Sequence, residues 1–510
     1  MKYLYGLALI GCLVLWSSCR NDFESVASTG NLEFSRDTVY LDTIFSNIGS
    51  STYNLKVYNR SNDDINIPTV RLGEGEESYY RLNVDGIPGK TFENVQILAK
   101  DSIFIFVETT IDITNFPNPN DALLYTDQIL FDSAANEQHV DLVTLVQDAI
   151  FLYPELDDDG MVGTISLGLD ADGNEILIEG FILDDTELNF TNEKPYVIYG
   201  YAAVAAGKTL TVQPGARVHF HENSGILVSN TGSMKSIGSP SLDPELLENE
   251  IIFEGDRLEP DFADIPGQWG TIWLTQGSTN NVFEYTTIKN NVVGILMDGN
   301  DGDETLTLKN VQIYNTANVG LLARSSIVYG ENMVINNAGQ SALACSIGGI
   351  YTFNHSTFAN YWTSSFRTFP AVQLDNVIDE NQGVDLTVRF NNCIIYGNER
   401  RELGLFSVPS ALFDFKLTNS LFRFEDPNGD FSDDPNYDFN NTDLYSDTVL
   451  NLDPVFQDTN FNNFNIESGT SGADGIGLFG IPPATDLNGV PRNNPPDAGA
   501  YESIVFPEGN

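Results

Sequence analysis

Two features of the sequence predict an all-β protein in two parts, a β-sandwich followed by a stack of short parallel strands. First, apolar and polar residues alternate in short runs from residue 31 onward with no long 3.6-residue period, so strands are expected and helices are not. Second, one short string keeps returning after residue 280. Aligning YTTIKN, NVQIYN, NMVINN, HSTFAN, NCIIYGN and NSLFRF puts Ile288, Ile313, Ile335, Phe358, Ile395 and Phe422 in one column, at intervals of 25, 22, 23, 37 and 27 residues. A repeat of this length is one coil of a solenoid, whose neighbours must stack to bury its apolar face.

The 510 residues exceed what one compact core usually holds, and 41% hydrophobic residues provide enough apolar surface to fold. At the start, MKYLYGLALIGCLVLWSSCR joins one lysine, an apolar stretch and small residues before a cysteine, an export signal too short to span a membrane. WSSC resembles the cleavage box of bacterial lipoproteins, although Trp16 stands where that family usually has Leu. LIGC, ending at Cys12, is nearer the pattern but would strand LVLW on the mature side. The resemblance implies a signal peptide over 1–18, a lipid on Cys19 and a tether over 19–30. RNDFE resembles the signal that takes lipoproteins of Bacteroidetes-type bacteria to the outer face of the outer membrane, which is the expected location.

Residues 31–150 contain TVYLDTIF, YNLKVYNRS, DINIPTV, SYYRLNV, NVQILAKDSIFIFVETTID, DQILFD and HVDLVTLVQ, separated by turn residues as in an antiparallel sandwich of about immunoglobulin size. The pattern resembles the immunoglobulin-like domains of the ASH and choice-of-anchor D kind, which implies a spacer or interaction module. Residues 151–200 form an Asp/Gly-rich connector leading into the solenoid. Within it, Glu155, Asp157 and Asp159, and then Asp170, Asp172 and Glu175, place oxygens at alternate positions as a calcium loop does. Calcium is the one candidate cofactor. For the second string, a hairpin turn between TISLGL and EILIEG is the competing reading.

Residues 201–452 hold the solenoid. TLTVQPGARVHF resembles the opening coil of secreted right-handed parallel β-helix proteins, and GQWGTIWL the coil that often follows. Three residues before the anchor column stand Asn310, Asn332, His355, Asn392 and Asn419. Amides repeated coil after coil read as a structural ladder, hydrogen-bonded along the stack. The 37-residue interval contains YWTSSFRTFP and DENQG, an insertion projecting from one coil. The C-terminal DPVF, SGADGIG, DLNGVPR and DAGAYE resemble, in order, the segment that closes the β-helix of choice-of-anchor Q proteins. Residues 453–510 are therefore expected to cover the open end of the solenoid.

With 24 Lys+Arg against 72 Asp+Glu, the net charge of -48 excludes nucleic acid and anionic membrane surfaces as partners. Cys345 and Cys393 lie in strand-like apolar runs and read as buried thiols. Arg217, His219 and His221 of RVHFH share a polar strand face with no third metal ligand in view. For chemistry, Asp298, Arg324 and Asp375 are expected to share an outward column, the best candidate for a catalytic or binding groove. For ligand binding, Tyr361, Trp362, Phe366 and Arg367 of the insertion are expected to be exposed and able to stack on sugar rings. The expected function is binding of an extended ligand, a polysaccharide foremost. A calcium-assisted lyase or glycoside hydrolase is the alternative, and an adhesive protein with a protein partner a third.

Overall fold

A computed structural model describes residues 25–116, 122–132, 134–157, 159–170, 172–243, 246–299 and 305–507. The expected signal peptide, Cys19 and the start of the expected tether lie outside the described residues. The protein is all-β, and among the described residues no α-helix occurs. It divides into two compact units, with the boundary between Asp148 and Ala149.

The first unit holds a six-stranded and a five-stranded sheet, compatible with a sandwich. Its strands show the alternation their sequences carry: in Ser102–Thr109, Ile103, Ile105 and Val107 are buried, whereas Phe104 and Phe106 face solvent. The buried sides of the strands, from Val39 to Val146, form one apolar core. The pairing is not wholly antiparallel. Thr38–Phe45 lies parallel to Gln138–Gln147, and Val26–Ala27 parallel to Ile65–Leu72.

The second unit is built on a 27-stranded, mostly parallel sheet, in whose first coils a strand pairs with the one three further along and in whose later coils, where strands run together around a corner, mostly with the one two further along. Thus Tyr196–Ile198 pairs with Arg217–Phe220 and that strand with Ile251–Gly255, while Tyr201–Val204 pairs with Gly225–Val228 and that strand with Ile272–Leu274. The chain therefore winds in successive three-walled coils, an arrangement compatible with a β-helix. Ile288, Ile313, Ile335, Phe358, Ile395 and Phe422 are register partners from coil to coil and wholly buried.

The recurring asparagines have a backbone reason. Tyr285, Asn310, Asn332, His355, Asn392 and Asn419 all sit at one corner of successive coils with φ between 45° and 54°. This left-handed region strains most side chains, and asparagine occupies it more readily than other non-glycine residues. The side chains then bond along the stack: Asn332 donates to Asn310 Oδ1 (2.9 Å), and Asn392 Nδ2 faces His355 Nε2 (2.9 Å). Asn419 instead donates to the carbonyl of Ile476.

Two expectations are corrected. The C-terminal segment lies along a flank of the stack rather than over its end. Phe464 and Tyr501 pack on Tyr314, Val334 and Ala359, while Ile466 and Ala498 pack on Ile394 and Leu421. Its motifs act as turn staples. Asp486 accepts from the amides of Val490 and Glu502, and Arg492 bridges Glu502 and Asn332 Oδ1. The last coil is closed by the Asp/Asn-rich loop before this segment, whose Phe431, Tyr437, Phe439 and Tyr445 pack on Phe422 and Phe424. Aromatic rings fill an open coil end because each covers a large apolar area.

The second correction concerns the insertion. Trp362 and Arg367 are buried, and Tyr361 packs half-buried against Phe456 and Phe464. Arg367 donates to both Glu402 oxygens, to the Asn360 carbonyl and to Asn398 Oδ1. Trp362 donates to Ser365 Oγ. Only Phe366 of the four points to solvent, at 89% exposure. A charged fork inside the protein needs partners such as these for its two terminal nitrogens, so the segment is folded inward and is not a platform.

Candidate functional site

The outward face of one wall of the second unit carries the site. In Ile272–Leu274, Ile272 and Leu274 enter the core, so the alternation of the strand turns Trp273 outward. Its register partners are Leu227 on the preceding coil and Leu296 on the next, followed by Leu322 and Ala344. This apolar stripe runs beside a second outward column. Asp298 pairs with Arg324, Arg324 with Ser346, and Ser346 Oγ donates to Asp375 Oδ2 on the following coil (2.7 Å).

The structure thus places Asp298, Arg324 and Asp375 on one face but joins only the first two. Arg324 Nε donates to Asp298 Oδ1 (2.5 Å), and Trp273 Nε1 donates to Asp298 Oδ2 (2.8 Å). Both oxygens of Asp298 are engaged and the indole is held at its edge. Asp375 is buried and instead accepts from the Ile347 amide and Ser346.

Trp273, Asp298 and Arg324 line a cleft of about 620 Å³ together with Leu227, Ser229, Asn230, Gln276 and Ile347. A hairpin of Thr164–Leu169 and Glu175–Ile182 contributes Ile165, Ser166 and Leu167 to its wall. The cleft combines an aromatic floor, an apolar overhang and a rim of hydroxyl and amide groups, the composition of a site for an amphipathic small ligand. Trp273 has the largest apolar face in the site, and sequence reasoning passed it over. The signal was present in the alternation of IWL, which sends the middle residue away from the core.

The acidic strings do not assemble ligands. Asp157 Oδ1 accepts from the amides of Asp159 and Met161, and Asp170 Oδ1 from those of Asp172 and Asn174. These bonds, those from Asn174 foremost, hold the Asp170 carboxyl below the usual range. Glu155 lends its main-chain carbonyl to Gly163, and Glu175 opens the second strand of the hairpin opposite Leu169. Among the described residues, no group of three or more His, Cys, Asp or Glu side chains is placed to hold a metal ion.

The RVHFH face is only partly open to solvent. His219 is buried beside Glu254, and burial pushes its imidazole below the ordinary histidine range. His221 is half-exposed with Nδ1 2.7 Å from Asp256 Oδ2, and that hydrogen bond raises its pKa. Cys345 and Cys393 are buried free thiols.

No model of a known protein family matches the chain, and no curated protein is similar to it in sequence. Among solved structures, a family 123 glycoside hydrolase from Clostridium perfringens, studied for glycolipid glycan hydrolysis, is similar over 23% of this chain at 11% identity and a TM-score of 0.16. The match covers 26% of that enzyme, and a likeness of this degree carries no argument about fold or activity.

Proposed function

We propose that this protein binds an extended polysaccharide, without cleaving it, along the outward wall that carries Trp273. In this reading the second unit is a right-handed parallel β-helix and the first an immunoglobulin-like spacer. The chain is a Bacteroidetes-type lipoprotein anchored through Cys19 at the outer membrane and facing outward. Among the described residues no helix is long and apolar enough to cross a membrane.

The observation that carries the proposal is the half-buried indole of Trp273, set in the cleft among Asn230, Gln276 and Ser229. A sugar ring offers one apolar face and a rim of hydroxyls, and this site offers the complement of both. Asp298 supports the indole edge and is neutralised by Arg324. A carboxylate so engaged suits a rigid floor better than proton transfer.

The test is to incubate the protein beginning at Cys19→Ser with neutral and uronate polysaccharides, with and without calcium, following both retention and chain length. Retention without shortening, lost in Trp273→Ala and partly kept in Trp273→Phe, is the expected result. Shortened chains that persist unshortened with Asp298→Asn would establish an enzyme instead. Silence on every polymer would reject the reading in favour of a protein partner. For the anchor, labelled palmitate should enter the full-length protein and fail to enter Cys19→Ser.

A further inference from the structure

The stripe that begins near Trp273 continues along the same wall to a second exposed aromatic. Register partners lead from Trp273 to Leu296, Leu322, Ala344, Gln373 and Gly404, and the next column runs from Asp375 to Phe406. That is five strand steps of about 4.8 Å, or about 24 Å along the stack. Phe406 is 51% exposed, and no core residue covers it. Its ring stays on the surface because Gly404 leaves room. A Cβ there would stand 2.7 Å from Pro370 Cγ and 3.1 Å from the Phe406 ring. Phe369, next to Pro370, is also exposed at 43%. Between the two aromatics the column carries Leu296, Leu322, Ala344 and Gln373, all uncharged, while the column beside it carries Ser346 and Arg324, the latter paired with Asp298.

The charges along this path are paired or buried. Arg324 is the cation among the residues lining the cleft, and Asp298 satisfies it; Asp375 is buried and hydrogen-bonded. A polyanion would find no uncompensated cation here and would approach a chain of net charge -48.

We infer that the wall holds an uncharged polysaccharide at two points, an inner subsite at Trp273 and an outer subsite at Phe406. The inference rests on the polysaccharide reading above and adds the neutral ligand class and the second contact. Two weak contacts on one rigid wall act as a single strong one when the ligand spans both, because the second binding event is intramolecular.

The test uses the full exported chain with Cys19→Ser, neutral polymers (β-glucan, mannan, arabinan) and uronate polymers (alginate, polygalacturonate). Disaccharides and hexasaccharides of whichever neutral polymer is retained complete the set. Phe406→Ala should weaken hexasaccharide binding roughly tenfold and leave disaccharide binding unchanged, whereas Trp273→Ala should weaken both. Phe406→Trp should restore the hexasaccharide affinity. Phe461→Ala, an exposed ring on the C-terminal segment, should change neither. Retention of a neutral polymer that depends on Trp273 and ignores Phe406 would overturn the outer subsite and leave the binding reading intact. Preference for the uronate polymers would overturn the neutral class, and binding of no polymer would overturn the parent reading as well.

Discussion

His355 is the one histidine in a corner column otherwise held mostly by asparagine, and replacing it with asparagine should change how the second unit responds to acid. The side chain is fully buried at φ 46°, with Nε2 facing Asn392 Nδ2. Burial, and then the charge of Arg492, push its pKa from 6.5 down to about 3. The folded protein therefore keeps the imidazole neutral where the unfolded chain protonates it. The stability this provides is complete above pH 6.5 and is lost progressively as pH falls towards 3, by about 1.4 kcal/mol per pH unit. At pH 5, which stays above the sequence pI of about 4.1, the loss is about 2 kcal/mol.

Asparagine accepts the left-handed corner, and its Oδ1 can receive the Asn392 amide as Asn310 receives that of Asn332. His355→Asn should thus match the wild type at pH 8 to within about 1 kcal/mol and exceed it by about a further 2 kcal/mol at pH 5. Urea unfolding followed by tryptophan fluorescence reads this directly, because Trp269, Trp273 and Trp362 all lie in the second unit. If the gap between variant and wild type were the same at both pH values, the burial argument for His355 would be refuted.

Arg367→Met should lower the stability of the second unit by about 3–5 kcal/mol, seen as a lower urea midpoint, because it leaves Glu402 buried without its cation. Asn332→Ala should cost about 2–3 kcal/mol by the same assay, since it strains a left-handed corner and removes side-chain bonds to Asn310, Thr485 and Arg492. Truncation after Leu452 should leave the coils wound but uncover Tyr314, Val334 and Ile394, read as a rise in binding of an apolar dye and in aggregation. Phe431→Ala, at the coil-closing loop, should cost about 2–3 kcal/mol from lost aromatic packing against Phe424 and Tyr437.

Whatever repeats along the chain could be read before any contact was known. Alternation within each run specified strands, and the common column of Ile288 to Phe422 specified their stacking. The period-two geometry of a strand leaves one face for the core, and a recurring register fixes which residue meets which. The asparagine column was legible for the same reason, since one corner conformation recurs from coil to coil. Asp298 and Arg324 could be placed on one face by counting alternate positions.

What does not repeat emerges only where residues far apart in the chain meet. Whether YWTSSFRTFP projects or folds inward depends on Glu402, 35 residues after Arg367, meeting it in space. Whether the C-terminal motifs cap an end or staple a flank depends on contacts such as Arg492 with Asn332, 160 residues apart. The site itself has the same character. Trp273 becomes the floor of a cleft only when the hairpin holding Ile165 comes to lie beside it, and nothing local in IWL encodes that approach. Periodic contacts are written in intervals along the chain, whereas a site depends on one long-range meeting that the chain makes once.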